Sequence, residues 1–154
     1  MTIERRRIND LIEEGAILAV QDGNHGEKHP TSADYVDEGI PFLMARDFKG
    51  GQIDLVGACK ITKKLADSLR IGFALPGDVL LTHKGSIGLV SIVPNVPDYV
   101  MLTPQVTYYR TNPKKLLNNY LKYAFQAPFF RHQLNSFSAQ STRPYVGITA
   151  QKEL

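Results

Sequence analysis

Leu75 to Val93, LPGDVLLTHKGSIGLVSIV, reads as two strands joined by a bent connection. Pro76–Gly77–Asp78 is a turn: glycine supplies a backbone angle other residues avoid, and the aspartate can accept from nearby backbone N–H groups. The turn launches Val79, Leu80 and Leu81. Gly85 interrupts the apolar run, and Ile87 to Val93 resumes it. Short apolar runs bounded by Gly, Pro and Asp are the mark of strands rather than of a helix.

The pattern extends both ways. Downstream, Val100 to Leu102 and Gln105 to Arg110 read as strands, the second alternating Val106, Tyr108 and Arg110 against Gln105, Thr107 and Tyr109. Upstream, Pro41 to Ala45 is short and apolar, and Gln52 to Val56 follows a Gly50–Gly51 turn. Helical signals lie toward the ends. Residues 4–14 read as an amphipathic helix with Thr2 as N-cap, Ile8, Leu11 and Ile12 inward and Gly15 at its end. Thr62 caps a second, Lys63 to Arg70, closed by Gly72. Asn112–Pro113 opens a third, carrying Leu116, Leu117, Tyr120, Leu121, Ala124 and Phe125 until Pro128 interrupts it. One or two further turns are expected over Phe129 to Leu134. The class predicted is α+β: a single compact domain with a central mixed or antiparallel, strongly twisted sheet and short peripheral helices. Three stretches, Gln21 to Glu38, Thr82 to Ser86 and Asn135 to Tyr145, are too polar to be plain connections and read as recognition loops.

At 154 residues, 43% apolar and 21% charged, the chain has one domain's worth of core, and wholesale disorder is excluded. No apolar run approaches the roughly 20 residues that cross a bilayer. Arg5, Arg6 and Arg7 are followed by Asp10, Glu13 and Glu14 where a signal peptide would be apolar. Cys59 is the one cysteine, so no internal disulfide is expected. A cytoplasmic protein with no membrane partner is the expectation. Charge is unevenly divided: residues 1–56 hold 6 Lys/Arg against 11 Asp/Glu, and residues 57–154 hold 12 against 4. Tyr99 to Lys152 contains seven basic side chains, no carboxylate, and ten of the fourteen Tyr and Phe residues. A field of one sign concentrates partners of the other, and phosphate backbones are the commonest. The same residues also suit a solvated helix face over an aromatic core.

Catalytic patterns are missing. His25 and His29 lie among Gly23, Gly26 and Pro30, hence on a loop, with no third metal ligand near in sequence. Pro97–Asp98 lacks the downstream acid-x-Lys of a magnesium nuclease, since the only later acid is Glu153. His83–Lys84–Gly85–Ser86 has the residues of a phosphate loop in the wrong order, and Gly85-x-x-Gly88 is a fragment of a dinucleotide fingerprint. The Asn/Asp-Pro-Pro-Tyr run of an amino-methyltransferase is lacking, as is any nucleophile context. No catalytic residue, metal site or cofactor is expected on this chain.

With these residues in view, LPGDVLLTHKGSIGLVSIV resembles the target-recognition domain of type I restriction–modification specificity subunits: a Gly-Asp pair, three apolar residues, a Thr, Gly-Ser-Ile-Gly, and another apolar strand. QDGNHGEKHP (Gln21 to Pro30), EGIPFLMARDF (Glu38 to Phe48) and LTPQVTYYR (Leu102 to Arg110) are similar to the family's first loop, second strand and Gln-bearing strand. Asn135 to Ile148, with Ser141-Thr142-Arg143-Pro144, resembles the segment before its long spacer helix. The resemblance implies residues 1–148 as the DNA-specificity domain and 149–154 as the start of a spacer helix. It implies recognition of a few base pairs in one half of a split site in double-stranded DNA. Methylation and restriction would belong to partner methyltransferase and restriction/translocase subunits, which would hold S-adenosylmethionine, ATP and magnesium.

On that footing the basic back half, Lys84 through Arg143, supplies phosphate contacts, while donor–acceptor forks read base edges at roughly 1–3 kcal/mol per bidentate pair. The candidates are Asn24, His25, Lys28 and His29; Arg46; His83, Lys84 and Ser86; and Gln140, Ser141, Thr142 and Arg143. Gly77, Asp78, Gly85 and Gly88 read as structural turn residues. Gln105 suits a base or a buried neighbour equally, and Arg46 could instead pair with Asp47. Two other readings stay open: a protein-interaction or oligomerisation domain without catalysis, and a recognition domain cut from a fused restriction–methylation enzyme.

Overall fold

A computed structural model describes residues 6–138 and 146–154. Its elements in chain order are α1 (Ile8–Glu13), β1 (Ile17–Asp22), β2 (Ile40–Leu43), β3 (Phe48–Lys49), β4 (Gln52–Ile53), β5 (Cys59–Ile61), α2 (Lys63–Asp67), β6 (Phe73–Ala74), β7 (Val79–Thr82), β8 (Val90–Ile92), β9 (Val100–Leu102), β10 (Val106–Thr111), α3 (Asn118–Gln126), α4 (Pro128–Ser138) and α5 (Ile148–Gln151). Single 3-10 turns occupy Ser32–Asp34 and Ala45–Asp47.

The class is α+β, but the strands divide between two four-stranded sheets rather than forming one. The first has the order β1-β10-β7-β8 and is antiparallel throughout. The second has the order β5-β2-β9-β6 and is mixed, because β2 and β9 run parallel. β3 and β4 form a separate ribbon. One core cluster lies between the first sheet and the helices, with Ile17, Val79, Leu81 and Tyr109 meeting Leu121, Phe125, Phe130 and Leu134. A second joins the two sheets through Leu80, Val106 and Tyr108 against Leu43, Ala74, Val100 and Leu102. The third packs Phe42, Ile61 and Met101 beneath Ala66 and Leu69 at α2. All four residues of β7 are buried, since it is an inner strand with clusters on both faces.

Several local expectations need correction. Asn112–Pro113 opens a single turn, not a helix: Asn112 Oδ1 accepts from Lys114 N, and its carbonyl accepts from Lys115 N and Leu116 N. Leu117 is then extended, and the helix begins at Asn118, whose amide donates to the Gly77 carbonyl. That break lets Leu116 pack on the core while Leu117 and Tyr120 remain exposed. α4 runs on to Ser138, so Asn135 to Ser138 is helix where a loop was expected. Gln21 and Asp22 belong to β1, and Thr82 closes β7. α2 ends at Asp67 and not Arg70; its cap is Thr62, whose hydroxyl accepts from Leu65 N at 3.1 Å. The proposed cap Thr2 and the residues Gln140, Ser141, Thr142 and Arg143 lie outside the described residues. Among the described residues no helix is long and apolar enough to cross a membrane.

Candidate nucleic-acid interface

Strand register decides which loops meet. Asp22 at the end of β1 pairs with Thr107 near the start of β10, and Thr82 at the end of β7 pairs with Val106. The segments after β1, after β7 and before β10 therefore share one end of the first sheet. In the second sheet Leu43, ending β2, pairs with Leu102, ending β9, and Phe73, opening β6, pairs with Met101. Backbone bonds then join the two sets. Gly23 N donates to Val106 O (2.8 Å), Asn24 N to Leu102 O (2.7 Å), Thr103 N to Leu43 O (3.0 Å) and His83 N to Gln105 O (2.9 Å). Gln105 Oε1 accepts from Ala45 N at 3.0 Å, which gives this side chain a structural partner. Val146 N donates to His83 O at 2.8 Å, which sets Val146 beside the β7–β8 loop. The fit is tight: a Cβ on Gly23 would fall 1.8 Å from the Thr103 carbonyl oxygen.

Six segments distant in sequence thus converge, and four of them carry exposed candidates: His25, Lys28 and His29; Arg46; Lys84 and Ser86; and Arg70. The side chains of Lys84, Lys28 and Arg70 make no hydrogen bond or ion pair with any described residue. Asn24 does not present its amide outward. It is buried, and Nδ2 donates to the Lys28 carbonyl at 3.0 Å, closing the loop on itself. Arg46 does not form the expected bond to Asp47. Its Nη2 lies 2.8 Å from Cys59 Sγ, and the Asp47 carboxylate instead accepts from Met44 N to start the 3-10 turn. Gly77, Gly85 and Gly88 all have positive φ, at 91°, 75° and 93°, and Leu134 lies over Gly88. Asp78 accepts from Leu75 N and takes a bidentate pair from Arg110, at 3.0 and 2.8 Å, which raises the Arg110 pKa further.

His83 is the candidate most changed by folding, being 1% exposed. It ends a buried polar chain beneath the loop. Tyr109 donates its hydroxyl to Gln151 Oε1, and Gln151 Nε2 donates to Val146 O at 2.8 Å and Thr107 Oγ1 at 3.1 Å. Thr107 donates to Asp22 Oδ1 at 3.1 Å, and that oxygen lies 3.4 Å from His83 Nε2. Burial lowers the His83 pKa; Asp22 opposes this and the neighbouring Lys84 charge adds to it. His83 therefore positions the loop, and Lys84 is the residue presented.

The described basic residues of the back half do not all stand free at this end of the sheet. Arg110 is spent on Asp78, and Lys114 and Lys115 follow β10 at the opposite end of the sheet from Lys84, with Lys115 Nζ donating to Glu14 O. Lys122 and Arg131 lie on α3 and α4. Among the described residues no group of three His, Cys, Asp or Glu could hold a metal ion. Sequence reasoning missed Arg70, which reads as the tail of a helix until the β6–β9 pairing brings it to this end.

No protein-family model matches the chain, and no curated protein matches it. Solved structures do. A chain from work on complex assembly and conformational transition of the type I R-M system superposes with a TM-score of 0.65 at 16% identity, over 96% of this chain and 32% of its own length. The HsdS subunit of Thermoanaerobacter tengcongensis gives 0.65 at 16% over 97% and 31%. The type I restriction–modification S subunit of M. genitalium gives 0.57 at 13% over 97% and 32%. The chain thus has the fold of a portion of these specificity subunits and spans about a third of their length.

Proposed function

We propose that this chain is a DNA-recognition domain that reads one half of a split target site as part of a type I restriction–modification specificity component. The observation that carries this is the convergence of the 23–29, 44–46, 83–88 and 103–105 segments at one end of two sheets, where the Lys28 and Lys84 side chains have no partner among the described residues. Exposed cations on loops anchored by backbone bonds can neutralise phosphates without losing their registry to the sheets. His25, His29, Arg46, Ser86, and the Gln140–Arg143 segment complete the proposed contact set. The domain itself performs no chemistry in this reading. Methyltransferase and restriction/translocase partners would supply it, together with S-adenosylmethionine, ATP and magnesium.

Within the assembled complex, Lys84→Ala and Arg143→Ala should each weaken affinity for the cognate site at fixed salt while leaving the unfolding midpoint unchanged. Wild-type affinity in both variants would refute the assignment. A second reading, a protein-docking domain, is favoured by one feature: Leu117 just before α3, and Tyr120, Tyr123, Phe129 and Phe137 along α3 and α4, stand exposed. That reading predicts no salt-dependent binding of duplex DNA.

A further inference from the structure

Beside the reading loops lies a groove of about 640 Å³, walled by residues 24–28 on one side and 68–71 on the other. Its walls hang from one residue of β9. Leu102 N donates to Gly72 O at 2.9 Å, and Leu102 O accepts from Asn24 N at 2.7 Å. Gly72 sits at φ +100°, and a Cβ there would lie 2.8 Å from Asn24 N, so the walls meet backbone to backbone at the groove's root. The spacing between them is therefore set by the second sheet rather than by side chains.

The groove's short polar side chains are already committed. The Asn24 amide is given to Lys28 O, and the Ser68 hydroxyl donates to Leu65 O. What remains is the exposed His25 imidazole and charge: Lys28 on one wall and Arg70 on the other, both exposed and neither side chain paired with a described residue. Glu27 is the one carboxylate in the lining. Two cations on opposite walls of a trough, with the Asn24 amide N–H and the Ser68 hydroxyl of its lining already bonded, suit a chain of phosphates better than base edges.

Building on the DNA-recognition reading above, we propose that this groove holds the sugar–phosphate backbone of a strand flanking the bases read, with Lys28 and Arg70 as a two-sided phosphate clamp. It adds affinity and register without sequence preference. Each neutralised phosphate contributes a slope of about −0.9 in log affinity against log salt, which is roughly eightfold in affinity at ~0.1 M salt. Glu27 works against the clamp.

The test is fluorescence anisotropy of the 154-residue chain with labelled duplexes of two unrelated sequences, across a salt series. Arg70→Ala and Lys28→Ala should each lower affinity roughly eightfold at ~0.1 M salt, equally for both duplexes, and reduce the salt slope by about 1. Glu27→Gln should tighten binding. Urea unfolding of each variant confirms that the fold is retained. If Lys84→Ala weakens binding while Arg70→Ala and Lys28→Ala do not, the clamp is wrong and the DNA reading stands. A loss confined to one duplex would also overturn the clamp, by showing base readout. A wild-type chain that binds neither duplex at any salt would overturn the DNA reading itself.

Discussion

Gln151→Leu removes the side chain that ties the last helix to the end of the first sheet where the loops converge. Gln151 is fully buried, and its amide makes three bonds: from the Tyr109 hydroxyl, to Val146 O and to Thr107 Oγ1. Leucine fills nearly the same volume, so the cost is polar. Thr107 keeps Asp22 as a partner, whereas the Tyr109 hydroxyl and the Val146 carbonyl lose theirs. Two buried orphans at about 1–3 kcal/mol each, partly offset by the added apolar contact, give a loss of about 2–4 kcal/mol. The chain has no Trp, so urea unfolding is best followed by far-UV circular dichroism. Adding Tyr109→Phe should recover about 1 kcal/mol or more, because the orphaned hydroxyl is then absent and the two changes are coupled. A Gln151→Leu stability within about 0.5 kcal/mol of wild type would refute the buried chain as a source of order.

Other outcomes follow from the same geometry. Burial depresses the His83 pKa from its ordinary 6.5, so the unfolded chain takes up this proton first as pH falls. Its contribution is therefore complete above about pH 6.5 and is lost below it, at no more than ~1.4 kcal/mol per pH unit. Urea midpoints of wild type and His83→Gln between pH 7.5 and 5 should differ in slope, and parallel curves would contradict this. Arg110→Ala strands the buried Asp78 carboxylate with one remaining backbone donor, and should cost about 2 kcal/mol in the same assay, whereas Lys114→Ala should cost nothing measurable. Gly72→Ala should destabilise by more than 1 kcal/mol, since strain at positive φ adds to a contact with Asn24 N. A neutral result there would mean that the groove's walls are not held at their root.

The residues that spoke clearly in the sequence were those whose local chemistry was sufficient. Pro76–Gly77–Asp78 followed by Val79 to Leu81, and Val100 to Leu102 before Gln105 to Arg110, carry their turns and their alternation with them. β1 was not legible, because Ile17 to Val20 is an unbroken apolar run with no alternation, and only pairing with β10 makes it a strand. β5 and β6 span three and two residues and exist through partners far off in sequence. At the candidate site, Lys28 and Lys84 were legible as cations on loops, but Asn24 and His83 could not be separated from them. Burial of the latter two follows from long-range bonds to Leu102 and Gln105. The charge count misled for a related reason. Composition records that the back half is basic, whereas the turn after β10 sends Lys114 and Lys115 to the far end of the sheet.

The central claim is that one end of the two sheets, and not the chain's overall positive charge, engages DNA. It is tested most directly by the salt dependence of binding to a duplex of about 20 base pairs, with Lys84→Ala compared against Lys114→Ala. Both substitutions remove one exposed cation without a side-chain partner among the described residues, and both change net charge equally. The account predicts that Lys84→Ala reduces the slope of log affinity against log salt by about 1 while Lys114→Ala leaves it unchanged. Equal reductions in the two variants, or a larger one for Lys114→Ala, would contradict it.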